Sequence, residues 1–453
     1  EITHILNTHE RCDTPVEFFF AKQWFVKILK HKDEFLKRGE ELNWFPKKMF
    51  QIYKNWTRAL KWDWCISRQR YYGVPFPVWY CKKCGETIIA HAENLPIDPT
   101  ETRPNIKECP KCKTNEFTPE SDVMDTWMTS SLTPQIASSL VEDKEMQKKL
   151  YPSALRPQAF EIIRTWLFYT VVKSHYNNNS LPFNDVMISG HGLDETGKKI
   201  SKRLGNYKNP LDIIREYGAD SFRYWTMGVT LGGNLRFNEE EIKKVKKTVL
   251  KLFNVAKFFN LFPQKTKDNN IEYEPTDEWI INELLETIQK TTDYFEKYEY
   301  SKARDAIDIF FWDAFADNYL EFIKYRLYGE NDTSYNSART VLCKCILAVI
   351  KLYAPIMPYI TEDIYQSLFK EKENDISIHL SSWPKKDDFP IVDEKIIKEF
   401  KEILPIVETV RKYKSQNGIS LGKEIDEFEY KGNEELFKIF WHNLYISTII
   451  KYF

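Results

Sequence analysis

The spacing of apolar residues changes at Ile242, and that change divides the chain into two kinds of fold. Before it, a helical stretch over residues 29–60 and short β-branched runs share the chain, and Asp185-Val186-Met187-Ile188-Ser189 reads as a buried strand. After it, Ile242, Val245, Val249, Leu252, Phe253, Ala256 and Phe259 recur at threes and fours, which sets them on one helical stripe. Comparable stripes run through 277–298, 301–328 and 336–371, parted by polar linkers such as Gly329-Glu330-Asn331-Asp332. A mixed α/β part is therefore expected to precede an all-α, up-and-down helix bundle. Cys343 and Cys345 lie two apart in one of these helices, so they face different ways and are expected in or beside its core.

The 453 residues suffice for two or three domains, each with its own core. The 65 basic and 66 acidic residues leave a net charge of −1, so any contact with nucleic acid has to come from local patches. No apolar run approaches the roughly twenty residues that span a bilayer, and no membrane segment is expected. Glu1-Ile2-Thr3-His4 is neither a methionine start nor a signal peptide, and the chain reads as a piece of something longer. At the start, Asp13–Phe20 and Gln23–Ile28 read as two strands with a tight link.

Four of the eight cysteines form two Cys-x-x-Cys pairs, Cys81-Lys82-Lys83-Cys84 and Cys109-Pro110-Lys111-Cys112, separated by 24 residues. Each pair sits on a turn, and two such knuckles set four thiolates at the corners of a tetrahedron, as in a zinc ribbon. Four sulfur ligands leave no open position, so the Zn²⁺ expected on Cys81, Cys84, Cys109 and Cys112 is structural. This usage also suits a reducing compartment.

Directly after the strand at 185–189 comes a glycine-punctuated loop, Gly190 to Asn206, in which Lys198, Lys199, Lys202 and Arg203 fall within six residues. A cationic loop rich in backbone N–H groups suits an anionic phosphate chain. Gly192 to Gly197-Lys198 has the spacing of a P-loop, but Lys199 stands where a Ser or Thr would hold Mg²⁺. Asp194 and Glu195 would also repel phosphate from such a cradle, and the P-loop is rejected.

Lys199-Ile200-Ser201-Lys202-Arg203, in its frame Asp194-x-x-Gly197-Lys198-Lys199…Leu204-Gly205-Asn206, resembles the Lys-Met-Ser-Lys-Ser signature of class I aminoacyl-tRNA synthetases. Five further strings extend the resemblance. Trp64-Cys65-Ile66-Ser67-Arg68-Gln69-Arg70 matches a signature of the valyl, isoleucyl and leucyl branches. Asp122-Val123-Met124-Asp125-Thr126-Trp127-Met128-Thr129-Ser130-Ser131 is closer to the valyl branch than to the isoleucyl one. Asp212 to Arg223 looks like the segment leading out of the catalytic domain. Phe311–Glu321 and Ala354–Tyr365 look like the anticodon-binding domain of the valyl group.

The resemblance covers nearly the whole chain. It implies the second half of a class I Rossmann-like catalytic domain with an inserted zinc ribbon, followed by a helix-bundle anticodon-binding domain. Residues 1–76 would re-enter the catalytic fold, 77–120 form the ribbon and 121–240 the second catalytic half with its signature loop. The anticodon-binding domain would take 241–385, and a helix with the start of a small tail 386–453. The implied reaction is ATP-dependent activation of valine, with Mg²⁺, and its transfer to tRNA-Val by a cytoplasmic, monomeric enzyme. Lys199 and Lys202 would stabilise the departing pyrophosphate, with Ser201 supporting the loop. Glu161, at the head of an expected buried helix, would bond the ATP ribose, and His191 would touch adenine or phosphates. Trp127, Ile162 and Trp166 would wall the valine pocket. Arg68 and Arg70, with Trp64 and Tyr71 packing alongside, would meet the tRNA 3′ end, and Lys324 and Arg326 other parts of the tRNA.

Three departures from the family pattern matter. No His-Ile-Gly-His signature and no editing domain are present, and Arg203 replaces the closing Ser. Because both signatures act on one ATP and positioning supplies much of the rate, the chain alone is expected to be inactive or nearly so. Two other readings stand: a non-catalytic tRNA-binding module or subunit of a split synthetase, and an isoleucyl enzyme.

Overall fold

The computed structural model describes residues 5–9, 12–17, 20–265 and 271–420. They form two compact units divided between Ser189 and Gly190, within the stretch 121–240 that the sequence presents as one piece.

The first unit is built on a three-stranded parallel sheet in the order Asn43–Phe45, Phe183–Ser189, Ser153–Ala159. Val186 pairs with Trp44 on one side and Arg156 on the other, so Phe183–Ser189 is the central strand. Buried strands of parallel sheets carry apolar runs, and Phe183, Val186 and Ile188 are wholly buried. The helices Lys32–Glu41, Phe50–Ala59 and Trp166–Asn178 share this core through Phe35, Tyr53, Phe168 and Val171. Gly39 makes the first two helices' approach possible, because a Cβ there would run into the Tyr53 ring.

The helix expected over 29–60 is interrupted. Asn43–Phe45 leaves it as a sheet strand, and the helical parts are Lys32–Glu41 and Phe50–Ala59. Two local causes are visible. Pro46 disfavours the helical conformation for Phe45, and Trp44 is buried with its indole N–H donating 2.8 Å to the Gly39 carbonyl. Of the two strands expected near the start, Phe18 and Phe19 lie outside the described residues. The rest of the first makes only a bridge from Thr8 to Pro15, and the second shrinks to Phe25–Val26, paired with Trp64–Cys65.

In the second unit Gly192–Leu193 pairs in parallel with Leu235–Arg236, and the helices Pro210–Tyr217 and Ala219–Thr226 lead into the bundle. Its helices include Glu239–Asn260, Pro275–Glu296, Tyr300–Ile309, Leu320–Tyr328, Asp332–Tyr353, Pro358–Leu368 and Glu394–Gln416. Ile242, Val245, Leu252, Ala256 and Phe259 of the expected stripe are buried, whereas Phe253 is largely exposed. The stripe at 336–371 falls on Asp332–Tyr353 and Pro358–Leu368 and enters the short helix Lys370–Glu373; the first break comes where Pro355 and Pro358 withhold their backbone N–H groups. The stripe at 301–328 is not uniformly α: Phe310–Tyr319 is a π-helix, in which each N–H bonds five residues back rather than four. The small tail expected after Glu394–Gln416 lies, beyond residue 420, outside the described residues.

Candidate functional site

The loop from Gly190 to Asn206 is ordered by two of its own polar side chains. Leu193 bridges to Lys199, and Ile200 N donates 3.0 Å to the Gly192 carbonyl. The intervening turn closes at Gly197, whose φ of +87° suits glycine. Asp194 Oδ1 accepts from the Thr196 N–H at 2.9 Å, the Thr196 hydroxyl at 2.7 Å and the Lys198 N–H at 2.9 Å. Its Oδ2 accepts from Asn206 Nδ2 at 2.8 Å. Asn206 also donates to the Lys199 carbonyl at 3.1 Å and accepts from the Ser201 N–H at 2.9 Å. The Asn206 amide, with the bonds from Thr196 and Lys198, holds the Asp194 carboxyl well below the usual carboxylate range. That carboxylate fixes the turn and stays ionised while doing so, so its charge still counts against a P-loop cradle.

The cationic side chains stand outside this clasp. Lys199, Lys202 and Arg203 are exposed, with Lys202 Nζ 5.9 Å from the Tyr207 ring. Ser201 is half-buried and its hydroxyl accepts from the Leu204 N–H at 3.3 Å. Glu195 is neutralised separately, since Lys208 Nζ lies 3.3 Å from it and 3.2 Å from Glu239. A cavity of about 340 Å³ opens beside the clasp, lined by Thr196, Ile200, Asn206, Tyr207, Lys208 and Phe237 among others. His191 is half-buried, with its backbone N–H donating 2.9 Å to Asn234 Oδ1. Gly190 precedes it because a Cβ would strike the Gly233 carbonyl.

In the first unit, Trp166 is tied to the short helix Thr126–Ser130 that carries Trp127: its indole donates 3.0 Å to the Ser130 carbonyl. Both rings and Ile162 are half-buried, and Glu161 is exposed. The helix expected from Glu161 starts later. Phe160–Arg164 is a 3₁₀ turn, Thr165 breaks it, and the α-helix runs over Trp166–Asn178. Sequence reasoning missed Arg156, which is buried and stacks its guanidinium 3.2 Å from the centroid of the Trp166 ring. Burial lowers its pKa to about 10, and its Nε has no hydrogen-bond partner. Only a strand register could have set Arg156 beside that indole.

The tRNA candidates divide. Arg70 is exposed, next to an exposed edge-to-face pair of Tyr71 and Tyr72 with ring centroids 4.9 Å apart. Arg68 is partly committed: it lies 3.2 Å from Asp125 and donates to the Cys65 and Ser67 carbonyls at 3.0 and 2.7 Å. Trp64 is buried and stacked at 3.9 Å on Tyr169, and its indole donates 3.2 Å to Asp125 Oδ2, the oxygen that Arg68 also meets. Lys324 is exposed and paired with Glu321 at 2.6 Å. Arg326 is a correction, because it is 2 % exposed and forms a bidentate pair with fully buried Asp277 at 2.9 and 2.6 Å. Such a guanidinium holds helices together and cannot meet a phosphate.

The ribbon is an antiparallel sheet with Val78–Cys81 between Thr87–Ile89 and Phe117–Pro119. Its two knuckles repeat one geometry. Gly85 N donates to the Cys81 carbonyl at 2.9 Å and Lys113 N to the Cys109 carbonyl at 3.0 Å, with φ of +71° and +64° at Gly85 and Lys113. Cys81 and Cys112 sulfurs stand 3.4 Å apart, Cys84 and Cys109 3.6 Å, and all four lie within 4.8 Å of one another. Zn–S bonds of about 2.3 Å at tetrahedral angles place sulfurs ~3.8 Å apart, so the four thiols fit a closed zinc shell. Burial works to raise the Cys81 thiol, but the Cys84 N–H and the Cys112 thiol outweigh it and bring it to about 6.

Comparison with known proteins agrees with this architecture. The family profile for tRNA synthetases class I (I, L, M and V) matches residues 7–238, and that for the anticodon-binding domain of tRNA ligase matches 277–429. The fold is similar to Mycobacterium tuberculosis methionyl-tRNA synthetase in complex with methionyl-adenylate, with a TM-score of 0.59 over 79% of this chain and 65% of that one, at 17% identity. The chain belongs to the class I tRNA synthetase family of the I, L, M and V type. Among curated relatives, the valine–tRNA ligase of Thermoplasma volcanium is 40% identical over 444 residues, covering 96% of this chain and 55% of the relative. That of Rickettsia felis is 40% identical over 458 residues, covering 96% and 52%. The chain thus spans about half the length of the curated relatives it matches.

Proposed function

We propose that this chain belongs to a valine–tRNA ligase, an enzyme that activates valine with ATP and Mg²⁺ and transfers it to tRNA-Val. One observation carries the reading: 40% identity to valine–tRNA ligases extends over 96% of the chain, through both the signature loop and the bundle. Those relatives favour valine over isoleucine as the substrate.

In adenylate formation a valine carboxylate oxygen attacks the α-phosphorus and pyrophosphate leaves, so negative charge grows on the leaving group. Exposed ammonium groups suit that moment, and Lys199 and Lys202 supply them, Lys202 being the principal one. Ser201 holds the loop through its contacts with Asn206 and Leu204. In the first unit, Glu161 takes the ribose hydroxyls, and Trp127, Ile162 and Trp166 wall a small apolar slot for the isopropyl group. His191 contacts the nucleotide. Arg70, the uncommitted part of Arg68 and Lys324 face tRNA. The ribbon thiolates of Cys81, Cys84, Cys109 and Cys112 hold Zn²⁺, which there shapes the ribbon and takes no part in catalysis. The enzyme works in the cytoplasm as a single chain; among the described residues no helix is long and apolar enough to cross a membrane.

The test is valine-dependent exchange of pyrophosphate into ATP, with this chain alone and with the chain supplied with the remaining part of a valine–tRNA ligase relative. Silence alone and exchange on supplementation, with valine and not isoleucine, is expected. Silence in both, with salt-sensitive tRNA binding retained, would replace the ligase reading by that of a tRNA-binding module.

A further inference from the structure

Apart from the ribbon, one other group among the described residues has the composition and spacing of a metal site: His31, Glu34 and His175. His31 ends the 3₁₀ turn Leu29–His31, and Glu34 follows three residues on in the helix Lys32–Glu41, which sets both on one face. His175 lies in the last turn of Trp166–Asn178. Glu34 stands between the imidazoles, with Oε1 2.9 Å from His31 Nδ1 and Oε2 2.9 Å from His175 Nε2. The three ligating atoms are mutually within 4.8 Å. Aromatic neighbours fix both rings: Tyr176 is edge-on to His31 at 5.6 Å, and Phe35 edge-on to His175 at 5.4 Å. The histidine side chains are only 24% and 14% exposed, whereas Glu34 is 51% exposed, so the cluster is open on the carboxylate side.

We propose that His31, Glu34 and His175 form a 2-His-1-carboxylate site for a first-row divalent cation of borderline softness, such as Zn²⁺, Co²⁺ or Ni²⁺. Two imidazoles and a carboxylate, with no thiolate, select that class. Three protein ligands leave coordination positions for water on the exposed side. Metal–ligand bonds of about 2.0–2.2 Å put neighbouring ligands ~3.3–3.6 Å apart at tetrahedral angles, so the 2.9 Å contacts need to widen by a few tenths of an ångström. Glu34 is free to move that far because half of it is in water. The ion takes the place of the protons shared between the carboxylate and the rings, and it braces the start of one helix to the end of another.

One group opposes the ion. Arg38 Nε lies 3.5 Å from His175 Nδ1, and a metal on Nε2 requires the proton of that ring to sit on Nδ1, facing the guanidinium. Arg38 has other anchors, namely Glu41 at 3.0 Å and the Asn179 carbonyl and side-chain oxygen at 2.9 and 2.8 Å. It therefore tunes the affinity downward without abolishing the site.

The experiment is a calorimetric and visible-absorption titration of the chain with Co²⁺ near neutral pH, after the ribbon cysteines have been saturated with Zn²⁺. One additional equivalent is expected, with d–d bands free of sulfur-to-metal charge transfer and a higher unfolding temperature. Glu34→Gln, at a half-exposed position where folding is not at stake, and His175→Ala should each weaken binding ~10-fold or more. Arg38→Gln should tighten it severalfold. No additional equivalent, leaving only a hydrogen-bonded His–Glu–His clasp, overturns the proposal. So does an equivalent that Glu34→Gln and His175→Ala bind as tightly as the parent.

Discussion

Lys202 sits at the rim of a loop whose backbone is held by other side chains, and this separation of duties makes its contribution measurable. Lys202→Ala, in an enzyme of the relatives' full length, should lower the rate of adenylate formation by about 10²–10³-fold. The unfolding temperature should be unchanged, because an exposed ammonium contributes little to stability. Asp194 has the opposite character. Its carboxyl titrates below its unfolded value of about 3.9, so its stabilisation of the turn is fully present above that value and is lost only as the pH falls through the lower, folded one. Carbon NMR of the Asp194 carboxyl should find it still ionised at about pH 3, and an ordinary midpoint near 3.9 would show the turn is not clasped.

At the scale of elements, the buried pair of Arg326 and Asp277 ties Leu320–Tyr328 to Pro275–Glu296. Tyr319 adds a 2.7 Å bond to Asp277, and Ser337 also donates to it. Removing one partner leaves a charge buried without compensation, so Arg326→Met should cost ~3–5 kcal/mol in urea unfolding. Arg326→Met with Asp277→Leu should recover much of that loss, since replacing a whole buried pair by apolar side chains is often tolerated. The sequence could not reveal this role: Lys324 and Arg326 look alike in a basic helix, and only packing separates the wetted side chain from the enclosed one. The strand at Asn43–Phe45 was hidden for a related reason, since its partner Phe183–Ser189 is far away in sequence. The two cysteine knuckles were legible because their geometry is set within six residues.

The charge of the whole molecule is balanced, and the structure removes several of the 65 cations from any role in binding. Arg326 is buried, Arg68 is partly spent on Asp125, and Lys208 bridges two glutamates. Affinity for tRNA should then rest on a small number of phosphate contacts and fall only moderately with salt. Arg70→Ala should weaken binding and reduce the slope of log affinity against log salt by about 1, whereas Lys208→Ala should leave that slope alone. The bundle as a class was readable from its stripes, and the catalytic half from its ordered signatures. The register of the sheet, and with it the placement of Arg156 against Trp166, was not, because a parallel pairing is settled by contacts distant in the chain.

The π-helix over Phe310–Tyr319 has a bearing on how this chain can change its length. Buried residues fall there in pairs, Phe310 with Phe311, Phe315 with Ala316 and Tyr319 with Leu320, a rhythm wider than that of the α-helices on either side. The segment works as a phase shifter between two helices in line. A wide turn of this kind takes up chain that an α-helix of the same angular span would not hold. Deleting exposed Asp313 and tightening towards α pitch therefore act in opposite directions on the helix beyond. This segment is the place in the helix where a change of length is best absorbed.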